Sequence, residues 1–260
     1  MLLGGVNTIG AYSVKANRAW DNTHNREEYI AIYETGKIPC LQLFVDAATE
    51  ATVQLYDAIT EEVVGGAYAM TVTQSTTYAT LTYLGLTLAA QTQGYYYLKI
   101  TTDAETIYTD VFGWADDVSG YLKITATSTN VALHQSVKAI HSFTGFSYLV
   151  YVAAHENKEQ ADIQEKGIDL NGTTYINYGS TSIIESFDLM CNRALFDFFI
   201  YLRHLSPNGT VILEWKGESR YIGDIEMEEK EVHNGNDLYN ATLRFKNPWR
   251  TMLIINTTPS

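Results

Sequence analysis

Basic residues are scarce in this sequence. Its 260 residues include 17 Lys and Arg against 30 Asp and Glu, which gives a formal net charge of -13 at pH 7. Proteins that bind nucleic acid carry a clustered basic surface, and this sequence has no such cluster. An acidic surface also disfavours contact with anionic membranes and favours solubility. The charge balance therefore argues against a nucleic-acid-binding protein.

Long apolar runs are also missing. The uninterrupted apolar stretches are far shorter than the roughly 20 residues that a membrane-spanning helix needs. Residues 1–7 contain neither a basic region nor a sustained apolar run, so we expect no signal peptide. We therefore predict that the chain has no membrane segment.

Cysteine is rare. The two cysteines, Cys40 and Cys191, lie far apart and each sits inside an apolar pattern. This placement predicts buried free thiols rather than a disulfide, and it gives no indication of a disulfide-rich secreted scaffold.

Complete metal-binding patterns are absent from the sequence. The six histidines are scattered singly. His155 and Glu156 begin a string like that of zinc metalloproteases, but Glu159 stands where the second histidine ligand is required. Residues 169–172 match only a fragment of a calcium-binding loop. We predict no metal site and no cofactor.

A catalytic set is not recognisable either. The sequence has no Gly-x-Ser-x-Gly elbow, no phosphate-binding glycine-rich loop and no nucleotide fingerprint. The acidic run from Glu226 to Glu231 contains Lys230, which is typical of a solvated face. A glycosidase pair would instead need one carboxyl group in an apolar environment. We predict that the protein is not an enzyme.

The residues that are abundant favour β structure. Tyr occurs 19 times, and Tyr, Thr and Val suit strands. Short alternating segments separated by turn residues follow one another through the first half, which predicts a β-sandwich of immunoglobulin type over residues 37–117. Residues 1–36 are expected to form an N-terminal arm that ends in a first strand near residues 29–33. The fold class predicted is mainly β.

One segment, residues 192–205, has a helical period instead. Its apolar residues recur at steps of three and four and so lie on one stripe: Leu195, Phe198, Phe199, Leu202 and Leu205. Asn192 can cap the first turn. Strands flank the segment on both sides, so residues 118–260 are predicted to form an antiparallel sheet or split-barrel domain packed on one helix.

Residues 154–170 lose all periodicity and are dense in charge. This pattern predicts a loop that stays mobile until something orders it. The loop residues proposed to contact a neighbouring subunit are His155, Glu156, Lys158, Glu159 and Asp162.

Two segments carry a resemblance to known proteins. They are GYYYLKIT at residues 94–101 and IYTDVF at residues 107–112, and together they resemble a recurring segment in virion proteins of phages that infect Bacteroidetes, including the crAss-like phages. The second half of the chain is similar to the region after that segment in those proteins: a charged linker, a strand, a helix, and hairpins that close on residues 239–245. The order of strand, helix and hairpin resembles the tail-tube and distal-tail fold.

The resemblance implies a structural protein of the phage tail that forms an oligomeric ring around the DNA ejection channel. Its partners would be further copies of itself and neighbouring tail or portal-proximal virion proteins, while DNA would pass without specific binding. An acidic wall would keep DNA from adhering, because it repels phosphates. Glu226, Glu228 and Glu229 are the candidates for that wall.

Two other classes remain open from the sequence. A carbohydrate-binding or adhesion β-sandwich would use exposed aromatic residues, and Tyr95, Tyr96 and Tyr97 are available. However, successive strand residues point to opposite faces, so three adjacent tyrosines cannot form one platform. An enzyme is the other class, and it lacks a catalytic constellation.

Overall fold

The structure is a computed structural model of the chain. It describes residues 2–4, 7–13, 29–37, 41–74, 79–83, 92–128, 146–168, 170–172, 174–205, 210–222, 225–230, 238–246 and 252–254. Within these residues the protein is mainly β with one helix, as the sequence predicts.

The strands of the first half are β1 (Leu2–Gly4), β2 (Ala11–Tyr12), β3 (Ile32–Glu34), β4 (Leu41–Val45), β5 (Ala51–Asp57), β6 (Val63–Ala69), β7 (Thr71–Gln74), β8 (Ala79–Tyr83), β9 (Gly94–Thr102), β10 (Thr106–Thr109) and β11 (Phe112–Ala115). The second half contains β12 (Leu122–Ser128), β13 (Phe146–Val152), β14 (His155–Ile168), β15 (Thr174–Asn192), the helix α1 (Arg193–Leu205), β16 (Thr210–Trp215), β17 (Glu218–Ile222), β18 (Ile225–Lys230), β19 (Leu238–Lys246) and β20 (Met252–Ile254).

The largest sheet has eleven strands and runs through both halves of the chain. Nine of its strands follow the order β17-β16-β12-β13-β3-β11-β9-β10-β2. The other two are β5, which also pairs with β9, and β6, which pairs with β5. The link between the halves is β3, which pairs in parallel with β11 and antiparallel with β13. The strand expected near residues 29–33 therefore lies inside this sheet and joins the two halves.

A smaller sheet covers the first half. It has four strands in the order β1-β4-β8-β7. Leu43 of β4 belongs to the same buried cluster as Leu98 of β9, and that cluster continues through Leu122 to Phe199 of α1. The core is thus continuous across the boundary expected between residues 117 and 118.

The helix α1 begins and packs as predicted. The side-chain Oδ1 of Asn192 accepts a hydrogen bond from the backbone amide of Leu195 at 3.0 Å, which satisfies one free donor of the first turn. Four members of the predicted apolar stripe are buried, namely Leu195, Phe198, Phe199 and Leu202. The fifth, Leu205, has a side chain outside the described part of the structure.

The helix is buried on more sides than the stripe predicts. Phe196 and Tyr201, which lie off the stripe, are also buried. The reason is that α1 lies between two sheets. Phe196 stacks on Tyr239 of β19 with ring centroids 4.6 Å apart, and Phe198 contacts Tyr148 of β13 with centroids 5.4 Å apart.

The strands around the helix divide between these two sheets. A third sheet, of five strands, has the order β14-β15-β19-β18, with β20 also paired to β15. The helix contacts β15, β18 and β19 of this sheet, and it contacts β16 of the large sheet. The expectation of one sheet under one helix is therefore incomplete, because β16 and β17 extend the large sheet instead.

The prediction of a loop over residues 154–170 is wrong. Residues 155–168 form the strand β14, which pairs with β15 from His155↔Asp188 to Ile168↔Thr174. Alternating apolar and polar residues indicate a strand that has one buried face. β14 forms because its backbone groups pair with those of β15. Backbone pairing does not require apolar residues at alternate positions, so the sequence of β14 shows no such alternation. The chain turns between β14 and β15 at residues 170–172, where Gly172 has φ 80° and a positive φ suits glycine.

Candidate functional site

The longest strand pair in the described part of the chain is formed by β14 and β15. We call β14 together with residues 174–188 of β15 the hairpin arm. β15 pairs with β19 only from Ile184 onward, and β20 pairs with it over Gly179 to Thr181. The remainder of the arm is a two-stranded ribbon within the part of the chain that the structure describes.

The base of the hairpin arm is fixed to the large sheet. Glu156 on β14 accepts a hydrogen bond from the indole Nε1 of Trp215 on β16, at 3.1 Å. The ring of Phe187 on β15 meets the Trp215 ring edge to face, with centroids 5.6 Å apart. The Nζ of Lys216 lies over the Trp215 ring, 5.2 Å from its centroid. These contacts tie the base of the arm to β16 of the large sheet.

A second set of contacts ties the arm to β19. Asp188 accepts hydrogen bonds from the hydroxyl of Thr242 at 2.6 Å and from the side-chain amide of Asn157. Asp188 lies on β15, so its carboxylate bridges the strands on both sides. The arm is therefore rigidly held where it joins the sheet.

The residues predicted to contact a neighbouring subunit all lie on β14, which pairs on one side only among the residues that the structure describes. His155 is exposed and Glu156 is partly buried. Lys158, Glu159 and Asp162 pair through the backbone with Glu185, Ile184 and Thr181, and their side chains lie outside the described part. The structure thus brings the five residues together along one edge.

The glutamates predicted to form a channel wall lie on β18, the opposite edge of the same sheet. Glu226 pairs with Arg244 and Glu228 with Thr242, while Glu229 pairs with Ala241. Strand positions two apart belong to one face of a sheet. A wall on one face can therefore include positions 226 and 228 but not 229. The side chains of these three residues are outside the described part.

A pocket of about 330 Å³ lies between the N-terminal segment and the start of α1. Its apolar lining includes Ile9, Leu43 and Phe198, which are buried. The charged lining residues are Arg193 and Asp197, and their side chains pair with each other at 3.2 Å. Sequence reasoning missed this pocket, because its walls come from segments more than 150 residues apart.

Arg193 is held in place from two directions. Its NH1 group donates to the hydroxyl of Tyr239 at 2.9 Å, and its guanidinium carbon lies 5.5 Å from the Tyr239 ring centroid. The hydrogen bond to Tyr239 and then the pairing with Asp197 raise the pKa of Arg193. The guanidinium is therefore charged and neutralised by Asp197 at the pocket mouth.

Of the three tyrosines considered for a sugar platform, Tyr96 and Tyr97 are buried and Tyr95 is partly buried. Tyr97 stacks on Tyr56 with centroids 5.2 Å apart, and Tyr96 packs on Trp114 at 4.4 Å. The exposed fractions of Tyr96 and Tyr97 are only 4% and 7%. Because a stacking platform must be accessible, these residues serve the core.

Cys191 is buried and unpaired, as predicted. Burial, and to a smaller extent the charge of Asp197, raises the pKa of its thiol to about 12, so the thiol stays protonated at neutral pH. Cys40 lies outside the described residues. Among the residues that are described, no group of three or more His, Cys, Asp or Glu side chains is arranged to hold a metal ion.

Within the described ranges, no helix has the length and apolar character required to cross a membrane. A scan against protein-family models and a search of curated proteins found no significant match to this chain.

Proposed function

We propose that this protein is a structural subunit of a phage tail, and that several copies assemble into a ring around the DNA channel. The observation that carries the proposal is the five-stranded sheet, whose two outer strands, β14 and β18, each pair on one side only in the described part of the chain. Unpaired strand edges present backbone donors and acceptors that readily pair with another chain.

A ring accounts for both edges at once. If β14 of one copy pairs with β18 of the next, the contact is heterologous and can close on itself. Closure leaves no free edge in that layer, as it does in a barrel. β14 supplies up to 14 residues for such pairing, which makes it the longer of the two edges.

The proposed ring also assigns roles to the two halves. The four-stranded sheet and the β5, β6 and β9 portion of the large sheet share one core, which supports an Ig-like sandwich on the outside of the ring. The helix and its five-stranded sheet then form a tail-tube-like unit facing the channel. The net charge of -13 suits a conduit for DNA, because acidic walls do not hold phosphates.

Electron micrographs of the purified protein test the assembly directly. We expect rings or short tubes. Particles that remain single subunits at every concentration contradict the proposal.

The channel wall has its own test. In a phage that encodes this protein, Glu226→Lys combined with Glu228→Lys should leave the subunit folded but impair infection, because the wall would then attract DNA. Glu229→Lys is the matched control, since position 229 belongs to the other face of β18. A ring structure with positions 226 and 228 away from the lumen refutes the wall assignment while leaving the ring intact.

A further inference from the structure

The hairpin arm ends in two exposed apolar residues. Ile168 is 71% exposed and Leu170 is 107% exposed, the highest values among the large apolar side chains described as exposed. Both lie at the turn between β14 and β15. Two large apolar side chains exposed this close together in sequence leave apolar surface in water, and burying that surface against another molecule would be favourable.

The arm is long enough to reach a neighbouring molecule. Residues 174–178 lie beyond the pairing of β15 with both β19 and β20. At about 3.3 Å per residue, these five residues span roughly 16 Å. Two-stranded ribbons are marginally stable in water on their own, so a ribbon of this length gains stability from packing against something.

The pocket beside α1 has the properties of a receptor for such a tip. Its volume of about 330 Å³ is roughly twice that of an apolar cavity that accepts benzene, which leaves room for two branched aliphatic side chains. Ile9, Leu43 and Phe198 form the apolar base beneath it, each no more than 1% exposed, and Arg193 pairs with Asp197 beside it. This chemistry suits an uncharged aliphatic group rather than an ionic ligand.

We propose that the tip of the hairpin arm of one copy inserts Leu170, with Ile168 beside it, into this pocket of a second copy. The chain itself supplies both the apolar tip and the pocket, and Leu170 is fully exposed, so its own pocket does not receive it. Copies that each carry a net charge of -13 repel one another, so a stable contact between them must come from a local, uncharged site. A tip and a pocket at different places on one molecule make a heterologous contact, which generates rings or filaments.

This inference rests on the proposed assembly, because it adds a second contact between copies to the pairing of strand edges. Its test is separable from that of the ring. Sedimentation velocity of the full chain should show that Leu170→Ser weakens self-association about tenfold or more, the loss expected for one buried leucine. Ile59→Ser is the matched control, since Ile59 is 52% exposed in the turn after β5, and it should change nothing.

Substitutions in the pocket test the same contact independently of the tip. Ala11 lines the pocket, so Ala11→Phe should fill it and weaken association as much as Leu170→Ser, with an unchanged melting temperature as the check on folding. Mixing Leu170→Cys with Ala11→Cys under oxidising conditions should give a dimer whose linked peptides join residues 170 and 11. Leu170→Cys mixed with Ile59→Cys should not.

Three outcomes overturn the inference. One is a wild-type chain that stays monomeric, which would leave the tip for a different protein. Another is a Leu170→Ser variant that associates like wild type, and the third is an Ala11→Phe variant that does so. If Leu170→Ser associates like wild type and still forms rings, the inference fails and the proposed function stands. If Leu170→Ser weakens association but the wild-type chain forms no ring, the inference stands and the proposed function fails.

Discussion

The indole Nε1 of Trp215 donates a hydrogen bond to Oε2 of Glu156 across 3.1 Å, and this contact joins the hairpin arm to the large sheet. The carboxylate is partly buried, with 19% of the side chain exposed. A hydrogen bond to a charged, partly buried acceptor is worth more than an exposed ion pair. The indole of Trp215 is therefore one of the groups that fix the base of the arm, together with Phe187 and Asp188.

Removing that donor should weaken the protein. Trp215→Phe keeps an aromatic ring against Phe187 but cannot donate, so we expect a loss of about 1 to 2 kcal/mol in the free energy of unfolding, measured by urea melts. Lys216→Ala is the control. Its Nζ is 3.9 Å from the same carboxylate and its side chain is 69% exposed, so the loss should be below about 0.5 kcal/mol. Equal losses would show that the indole donor is not what fixes the arm.

The helix face can be checked by paired truncations. Phe199 is fully buried, and Phe199→Ala should cost about 3 to 5 kcal/mol, the usual range for a buried phenylalanine. Ile200 on the outer face is 38% exposed, and Ile200→Ala should cost about 1 kcal/mol or less. If urea melts place the two variants at the same stability, the assigned helix face is wrong.

The substitution Tyr201→Phe should leave the stability of the protein unchanged or raise it. Its hydroxyl is buried without a hydrogen-bond partner among the described residues, and a buried polar group left unpaired is costly. Tyr201→Phe removes the hydroxyl and keeps the ring, so unfolding should be unaffected or harder by about 1 kcal/mol. The control is Tyr239→Phe, which removes the hydroxyl bonded to Arg193 and should destabilise. A clear destabilisation by Tyr201→Phe would show that the Tyr201 hydroxyl does have a hydrogen-bond partner.

Lowering the pH should remove the contribution of Glu34 to the stability of the folded protein. Its carboxylate accepts hydrogen bonds from Lys37 and from the hydroxyl of Tyr151, and these two groups, Lys37 first, lower the pKa of Glu34 below its usual value of 4.5. A carboxyl group whose pKa is lowered by folding stabilises the protein above its unfolded-state pKa, and this stabilisation is lost as the pH falls through the folded-state pKa.

We therefore expect Glu34→Gln to be less stable than wild type at neutral pH, with the difference shrinking in urea melts below about pH 4.5. Tyr151→Phe should show a smaller version of the same pH dependence, because it removes one of the two bonds. A difference that is constant down to about pH 3 is incompatible with this account.

The exposed turn and the paired strands of the hairpin arm should differ in their sensitivity to proteases. Leu170 is fully exposed at the turn, whereas Lys158 and Lys166 lie on β14 in register with β15. Chymotrypsin should therefore cleave after Leu170 faster than trypsin cleaves after either lysine, as followed by mass spectrometry of early fragments. Early tryptic cleavage at Lys158 would favour the loop that the sequence suggests.

Amino-acid order alone determined the elements whose burial is one-sided. The helix was predictable because Asn192 and the stripe from Leu195 to Leu202 make one face apolar, and a single apolar face leaves a period in the sequence. The strand β19 was predictable for the same reason, since Tyr239, Ala241 and Leu243 alternate with polar residues and are buried. The turn at Gly172 was predictable because it requires a positive φ.

Only the tertiary structure decided the features that depend on partners far away in the chain. The strand β14 exists because β15 supplies its hydrogen bonds, and the burial of Phe196 and Tyr201 exists because two sheets enclose the helix. The pocket arises where residues 7–12 meet α1. Local periodicity records which side of an element is buried, but it does not record which distant element completes the hydrogen bonds or closes the wall of a cavity.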